Sequence, residues 1–245
     1  RNDHSMKVTM LCKDFNIKQT DQGAWLEFKD VNNTETYTMK SINDSYAIGG
    51  VDLSNTTDLT VALLLIVKGG KKYVHAQYFM PSEVLEKRKE EDNAPYDIWL
   101  SQGLITLSPG SQNDFSLVTN WFIKMIRENG IRPLWIGYDP WNSLYWVKEM
   151  EEAGFILEKV RQGIYSLSEP MKQLEADLKN KVVNYNNNPM MKWNLANTQA
   201  KVDINGNIQP SKLGSKFKRI DGAVALIIAY AVLNRYKSEY EGMIR

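Results

Sequence analysis

The chain has 245 residues, 43% of them hydrophobic, which is enough for one sizeable core and little more than one domain with an appendage. Its formal net charge is only +1, so attraction to nucleic acid is not a global property and any basic surface must be local. One cysteine, Cys12, excludes an internal disulfide framework and a multi-cysteine zinc site, which fits a reducing compartment.

Residues 1–45 are polar and mixed, with Trp25, Leu26 and Phe28 as apolar anchors. They read as a lead-in or linker packed loosely on a main domain spanning 46–245. The first residue is Arg1 rather than methionine, which fits an excised or processed piece of a longer protein. The N-terminus has no signal-peptide pattern, and the apolar runs 59–67 and 223–233 are too short to span a bilayer. No membrane insertion is expected.

From Tyr46 the character changes. Runs 46–53, 59–68 and 71–80 read as strands, the last two joined by the two-residue turn Gly69-Gly70, giving an antiparallel meander. Ser82 caps a charged stretch, 83–92, that mixes both signs and reads as an exposed helix. Phe115, Val118, Trp121, Phe122, Met125 and Ile126 are spaced for a helix that stops at Asn129-Gly130. Leu134 to Tyr138 is a fourth, buried strand; Asn142 can cap a helix to Ala153, and 155–160 is a fifth strand. Ser168 precedes a helix with Met171, Leu174 and Leu178 on one face. A shorter helix near 190–196 leads into 202–209, where Asn205-Gly206 predicts a two-residue hairpin turn. The closing helix covers about 221–236. This order matches an α/β ribonuclease H-like fold: a three-strand antiparallel meander plus parallel strands in one mixed sheet flanked by helices. In such a sheet the first and fourth strands lie side by side.

Three acids stand where apolar elements meet turns: Asp52 after Gly49-Gly50-Val51, Asp139 between Tyr138 and Pro140, and Asp221 between Ile220 and Gly222. Singly, each has an ordinary use, as a strand-end turn former, a cap before proline, or a helix N-terminal residue favoured by the dipole. Together, on regular elements far apart in sequence, they suit a divalent-cation site for phosphodiester hydrolysis. Asp58 is a secondary candidate, either a turn acid or a residue approaching the metals across the first turn. Ser54 and Thr57 either contribute hydroxyls there or, as the favoured reading, satisfy that turn's backbone. His75, within the third strand, and His4 lack a partner at ligand spacing and read as packing or solvent-contact residues. Cys12 has no base near it in sequence. Trp141, like Trp135, Trp146 and Trp193, reads as a packing aromatic. The basic cluster Lys212, Lys216, Lys218 and Arg219, with Lys192 and Lys201 upstream, is either a solvated loop or a phosphate-tracking surface.

Taken in order, Gly50-Val51-Asp52-Leu53-Ser54, Thr57-Asp58-Leu59-Thr60, Tyr138-Asp139-Pro140-Trp141, 168–175, 188–194, 203–208 and 218–226 resemble the C-terminal nuclease domain of tailed-bacteriophage terminase large subunits. The resemblance covers roughly residues 46–237. It implies a packaging endonuclease that cuts concatemeric double-stranded DNA with two Mg²⁺ or Mn²⁺ ions, Asp52 bridging both and Asp139 and Asp221 each completing one shell. It also implies an ATPase domain, a small terminase subunit and a portal as partners, and the cytoplasm of an infected host cell as the location. These 245 residues contain no Gly-x-x-x-x-Gly-Lys-Ser/Thr phosphate loop, so motor activity is not expected of this polypeptide. The rival readings are another ribonuclease H-like nuclease, such as a resolvase or transposase core, and a non-catalytic module that docks DNA or the portal.

Overall fold

A computed structural model of the chain describes residues 24–55, 58–141, 143–212 and 218–244. Its strands are β1 (Tyr46–Asp52), β2 (Thr60–Lys68), β3 (Lys71–Pro81), β4 (Ile105–Ser108), β5 (Arg132–Tyr138), β6 (Leu157–Lys159), β7 (Val183–Asn184), β8 (Gln199–Val202) and β9 (Ile208–Ser211). Its helices are α1 (Phe28–Val31), α2 (Met39–Ile42), α3 (Leu85–Asp92), α4 (Tyr96–Ser101), α5 (Ser116–Asn129), α6 (Leu144–Glu152), α7 (Ile164–Lys179), α8 (Pro189–Asn197), α9 (Asp221–Arg235) and α10 (Lys237–Met243).

The expected mixed sheet is present. Its order is β4-β3-β2-β1-β5-β6, with β7 also paired to β3. The pairs β1–β2 and β2–β3 are antiparallel, whereas β1–β5 and β5–β6 are parallel. The first and fourth expected strands are therefore neighbours. Gly69 and Gly70, with φ of 58° and 75°, make the two-residue turn that sets Lys68 opposite Lys71.

Both faces of the sheet are covered, which explains why β2 reads as a continuous apolar run rather than an alternation. Leu63 and Leu65 join one core with α7, α8 and α9; Ala62, Leu64 and Ile66 join a second with Phe122 of α5 and Trp146 of α6. Helix α9 is buried almost all round, from Asp221 to Tyr230. It can lie this close because Gly50 has no side chain: a Cβ there would sit 2.2 Å from the Ala225 carbonyl oxygen and 2.9 Å from the Ala229 Cβ. At the opposite end of the sheet, Tyr240 of α10 accepts from the Val67 amide at 3.1 Å and donates to the Tyr46 carbonyl at 2.9 Å.

Several expectations need correction. Residues 24–45 are not loosely attached: Trp25, Leu26, Val31 and Ile42 are buried, the Trp25 indole donates to Glu175 at 3.0 Å, and the Asn33 side chain donates to the Val183 carbonyl at 2.8 Å. Helix α7 begins at Ile164, four residues ahead of Ser168, and accommodates Pro170. Ser168 instead accepts from the Ile208 amide at 3.0 Å. Val202 pairs with Ile208, so the hairpin loop has five residues, 203–207, with Asp203 Oδ1 accepting from the amides of Asn205 and Asn207. A two-residue turn at Asn205-Gly206 is not formed. Elements α4, β4 and β7 were not anticipated. Ser143 precedes α6; the expected cap, Asn142, lies outside the described residues, as do Thr57, His4 and Cys12.

Candidate active site

The parallel β1–β5 ladder brings two of the three acids together. Val51 is in register with Tyr138, and each is followed by an aspartate, Asp52 closing β1 and Asp139 leaving β5. Both emerge at the carboxyl edge of neighbouring strands. Asp221 reaches the same edge from above as the first residue of α9, where the helix dipole favours a negative charge. All three line one cleft of about 410 Å³, together with Asp58, Gln162, Lys212 and Trp141.

The cleft penalises uncompensated negative charge. Burial, reinforced by the neighbouring Asp221, pushes the Asp52 carboxyl well above the usual range. Burial likewise raises Asp221 to about 6, against the opposing attraction of Lys212. Asp221 Oδ2 is buried and has no hydrogen-bond partner among the described residues. Asp139 is raised by burial, partly countered by hydrogen bonds from the Trp141 amide, at 3.2 Å, and from the Gln162 side chain. For Asp58, burial is outweighed by Lys212 and Arg219, which hold it below the usual carboxylate range. Lys212 Nζ lies 3.0 Å from Asp58 Oδ1 and 3.8 Å from Asp221 Oδ1. Among the described residues no three His, Cys, Asp or Glu side chains close on one point as a ready-made cation cage. The acids surround an open cleft with an ammonium among them.

The residues expected to track phosphate separate into different settings. Lys212 points into the acids rather than across a surface. Arg219 is buried: Nε and Nη2 each donate at 2.7 Å to Asp92, and Nη1 reaches Asp58. A guanidinium buried against Asp92 and tied to Asp58 does not belong to an exposed phosphate-tracking surface. Lys216 lies outside the described residues, and Lys218 is half-buried beside Arg219. Lys192 is buried and donates to Asn32 and Asn187, while Lys201 is exposed on β8. His75 stacks on Trp121, and burial brings it down to about 4, in line with a packing role. Ser54 Oγ accepts from the Asp58 amide at 3.1 Å, the turn-satisfying role expected of it.

Trp141 does not pack in the interior; it is 77% exposed on the cleft's rim. Sequence reasoning also missed Gln162 and the burial of Asp92. Asp92 had the appearance of one more charge on an exposed helix, yet it receives Arg219 and the Tyr96 hydroxyl. No local signal marked either: Asp92 ends a charged run and Arg219 ends a basic one.

The family model for the terminase large subunit, endonuclease domain, matches residues 2–236. The chain belongs to that family. The large terminase subunit of Enterobacteria phage HK97 is 28% identical over 199 residues, covering 79% of this chain and 38% of that protein. The crystal structure of the HK97 large terminase superposes with a TM-score of 0.70 at 26% identity, over 77% of this chain and 39% of that one. The large terminase nuclease of thermophilic phage G20c with bound magnesium shares the fold, with a TM-score of 0.55 at 13% identity over 86% of this chain and 98% of that one. This terminase nuclease domain spans less than half the length of the curated relatives it matches.

Proposed function

We propose that this domain hydrolyses concatemeric double-stranded DNA during viral packaging by a two-metal-ion mechanism, with Asp52, Asp139 and Asp221 as the metal-binding residues. The observation that carries the reading is Asp221: a buried carboxylate with one oxygen lacking a hydrogen-bond partner among the described residues, on a cleft it shares with Asp52, Asp58 and Asp139. An orphaned buried carboxylate oxygen is costly unless a ligand meets it. The donor set is all oxygen, which suits hard cations such as Mg²⁺ or Mn²⁺ rather than softer ions. Two such cations, when bound, supply an activated water and stabilise both the attacking and the leaving oxygen.

The chain's own residues hold and orient. Asp52 and Asp139 are fixed by adjacent parallel strands, so their spacing does not depend on a loop. Gln162 and the Trp141 amide direct the Asp139 carboxylate. Asp58, already engaged by Arg219 and Lys212, acts as support for the cleft rather than as a first choice of ligand. In the complete machine the partners are an ATPase domain, the small terminase subunit and the portal, acting in the cytoplasm of the infected host. The large terminase of another thermophilic bacteriophage has been solved in complex with ADP, which supports a nucleotide-handling half elsewhere in the whole protein.

Plasmid nicking in Mg²⁺, in Mn²⁺ and in chelator tests the reading. Cleavage is expected with either metal and none with chelator, and Asp52→Asn or Asp139→Asn is expected to abolish it while leaving the fold intact. A wild-type chain that binds DNA yet cleaves nothing under any metal condition would instead favour a docking module.

A further inference from the structure

Two cations meet Asp58 on the same oxygen, and they are held very differently. Arg219 is enclosed: its side chain is 2% exposed and its other nitrogens are committed to Asp92. Lys212 follows β9 directly, carries its charge on a flexible four-carbon stem, and keeps 28% of its side chain open to solvent. Its ammonium lies between Asp58 and Asp221, and its charge also lowers the cost of ionising Asp52. It therefore occupies the electrostatic position that a bound metal serves. A second cation brought into so small a cleft is repelled by the first, while removing the first leaves the acids to repel one another.

We propose that Lys212 is a built-in counter-cation of the acid cleft, neutralising Asp58 and Asp221 in the metal-free protein and withdrawing its ammonium when a divalent metal enters. Lys212 thereby sets the metal concentration at which the site fills. The inference rests on the metal-site reading above. Withdrawal needs only rotation of one long side chain, because Arg219 continues to hold Asp58 in place.

Mn²⁺ uptake by the 245-residue chain, measured as loss of the free-ion electron paramagnetic resonance signal, tests it. Lys212→Gln is expected to bind Mn²⁺ about tenfold more tightly than wild type, and Lys212→Arg, which keeps the charge, no more tightly than wild type. Melting supplies a second readout. In chelator Lys212→Gln melts below wild type, and saturating Mn²⁺ closes the gap. Unchanged or weaker binding by Lys212→Gln, binding by Lys212→Arg as tight as by Lys212→Gln, or a melting deficit that Mn²⁺ does not alter overturns the proposal. Asp52→Asn separates the two readings: if wild type takes up no Mn²⁺ that this variant loses, the metal-site reading has failed and the role of Lys212 falls with it.

Discussion

Arg219 holds Asp92 through two 2.7 Å hydrogen bonds, Nε to Oδ2 and Nη2 to Oδ1, with only 2% and 0% of the two side chains facing solvent. The pair lies 127 residues apart in sequence and anchors the backbone two positions before Asp221. Removing one partner strands a buried charge. Asp92→Ala is therefore expected to cost roughly 3–5 kcal/mol in urea unfolding, whereas replacing both residues with apolar ones of similar volume recovers most of that loss. A cost below about 1 kcal/mol for Asp92→Ala would mean that the pair is solvated in solution.

The pH dependence of the metal-free chain follows from the same cleft. Burial raises Asp221 to about 6, above an unfolded value of about 4, so the native state binds this proton more tightly. The resulting stability is fully present below about pH 4 and is lost as pH rises through about 6. Asp52 shifts in the same direction, and burial is again its main cause. Asp58 is opposite: burial is outweighed by Lys212 and Arg219, its contribution is present above its unfolded value, and it disappears as pH falls through the lowered one. In chelator, urea titrations are expected to show a loss on the order of 2 kcal/mol between about pH 4 and pH 6.5 from Asp221. Asp221→Asn should flatten that interval and be the more stable protein near pH 7. A variant no more stable than wild type there would contradict the buried-charge account.

Trp141 and Trp146 are five residues apart and opposite in setting, 77% and 1% exposed. Trp146→Ala empties part of the core beneath α6 and is expected to destabilise by about 3–5 kcal/mol. Trp141→Ala removes no packing and should stay within about 0.5 kcal/mol of wild type in thermal melts. Comparable losses from the two variants would place Trp141 in the interior after all.

Tyr240 bridges two strands through one hydroxyl, accepting from Val67 and donating to Tyr46. Tyr240→Phe keeps the ring but leaves a partly buried amide and carbonyl without that partner, for an expected loss of about 0.5–1.5 kcal/mol. Amide exchange at Val67 should accelerate in step. Unchanged protection there would show that another group satisfies the amide.

What could be read in advance was whatever the chain states locally. The Gly69-Gly70 turn, the apolar runs and the stop signals at element ends located the central strands and, with them, Asp52, Asp139 and Asp221 of the cleft. What could not be read depends on partners distant in sequence. Strand β4 has four residues and β7 two, too short for a periodic signal, and each is defined by pairing with β3. Asp92 sits in a run of charges whose exposed members, Lys87 and Glu90, disguise the one that is buried. Lys212 and Arg219 belong to one basic stretch in sequence and to two different roles in space, because only the fold decides that both face carboxylates. Trp141 resembles the core tryptophans in type and differs from them only in what surrounds it.

The bare backbone at Gly50 acts as a ruler. Helix α9 rests there on β1 through the Ala225 carbonyl, one turn beyond its first residue, while β1 runs only two residues further to its own terminal acid. The separation of Asp52 from Asp221 is thus fixed by a hard point of contact in the interior, and even a methyl group inserted at that fulcrum would lift the helix and pry the two carboxylates apart without touching either.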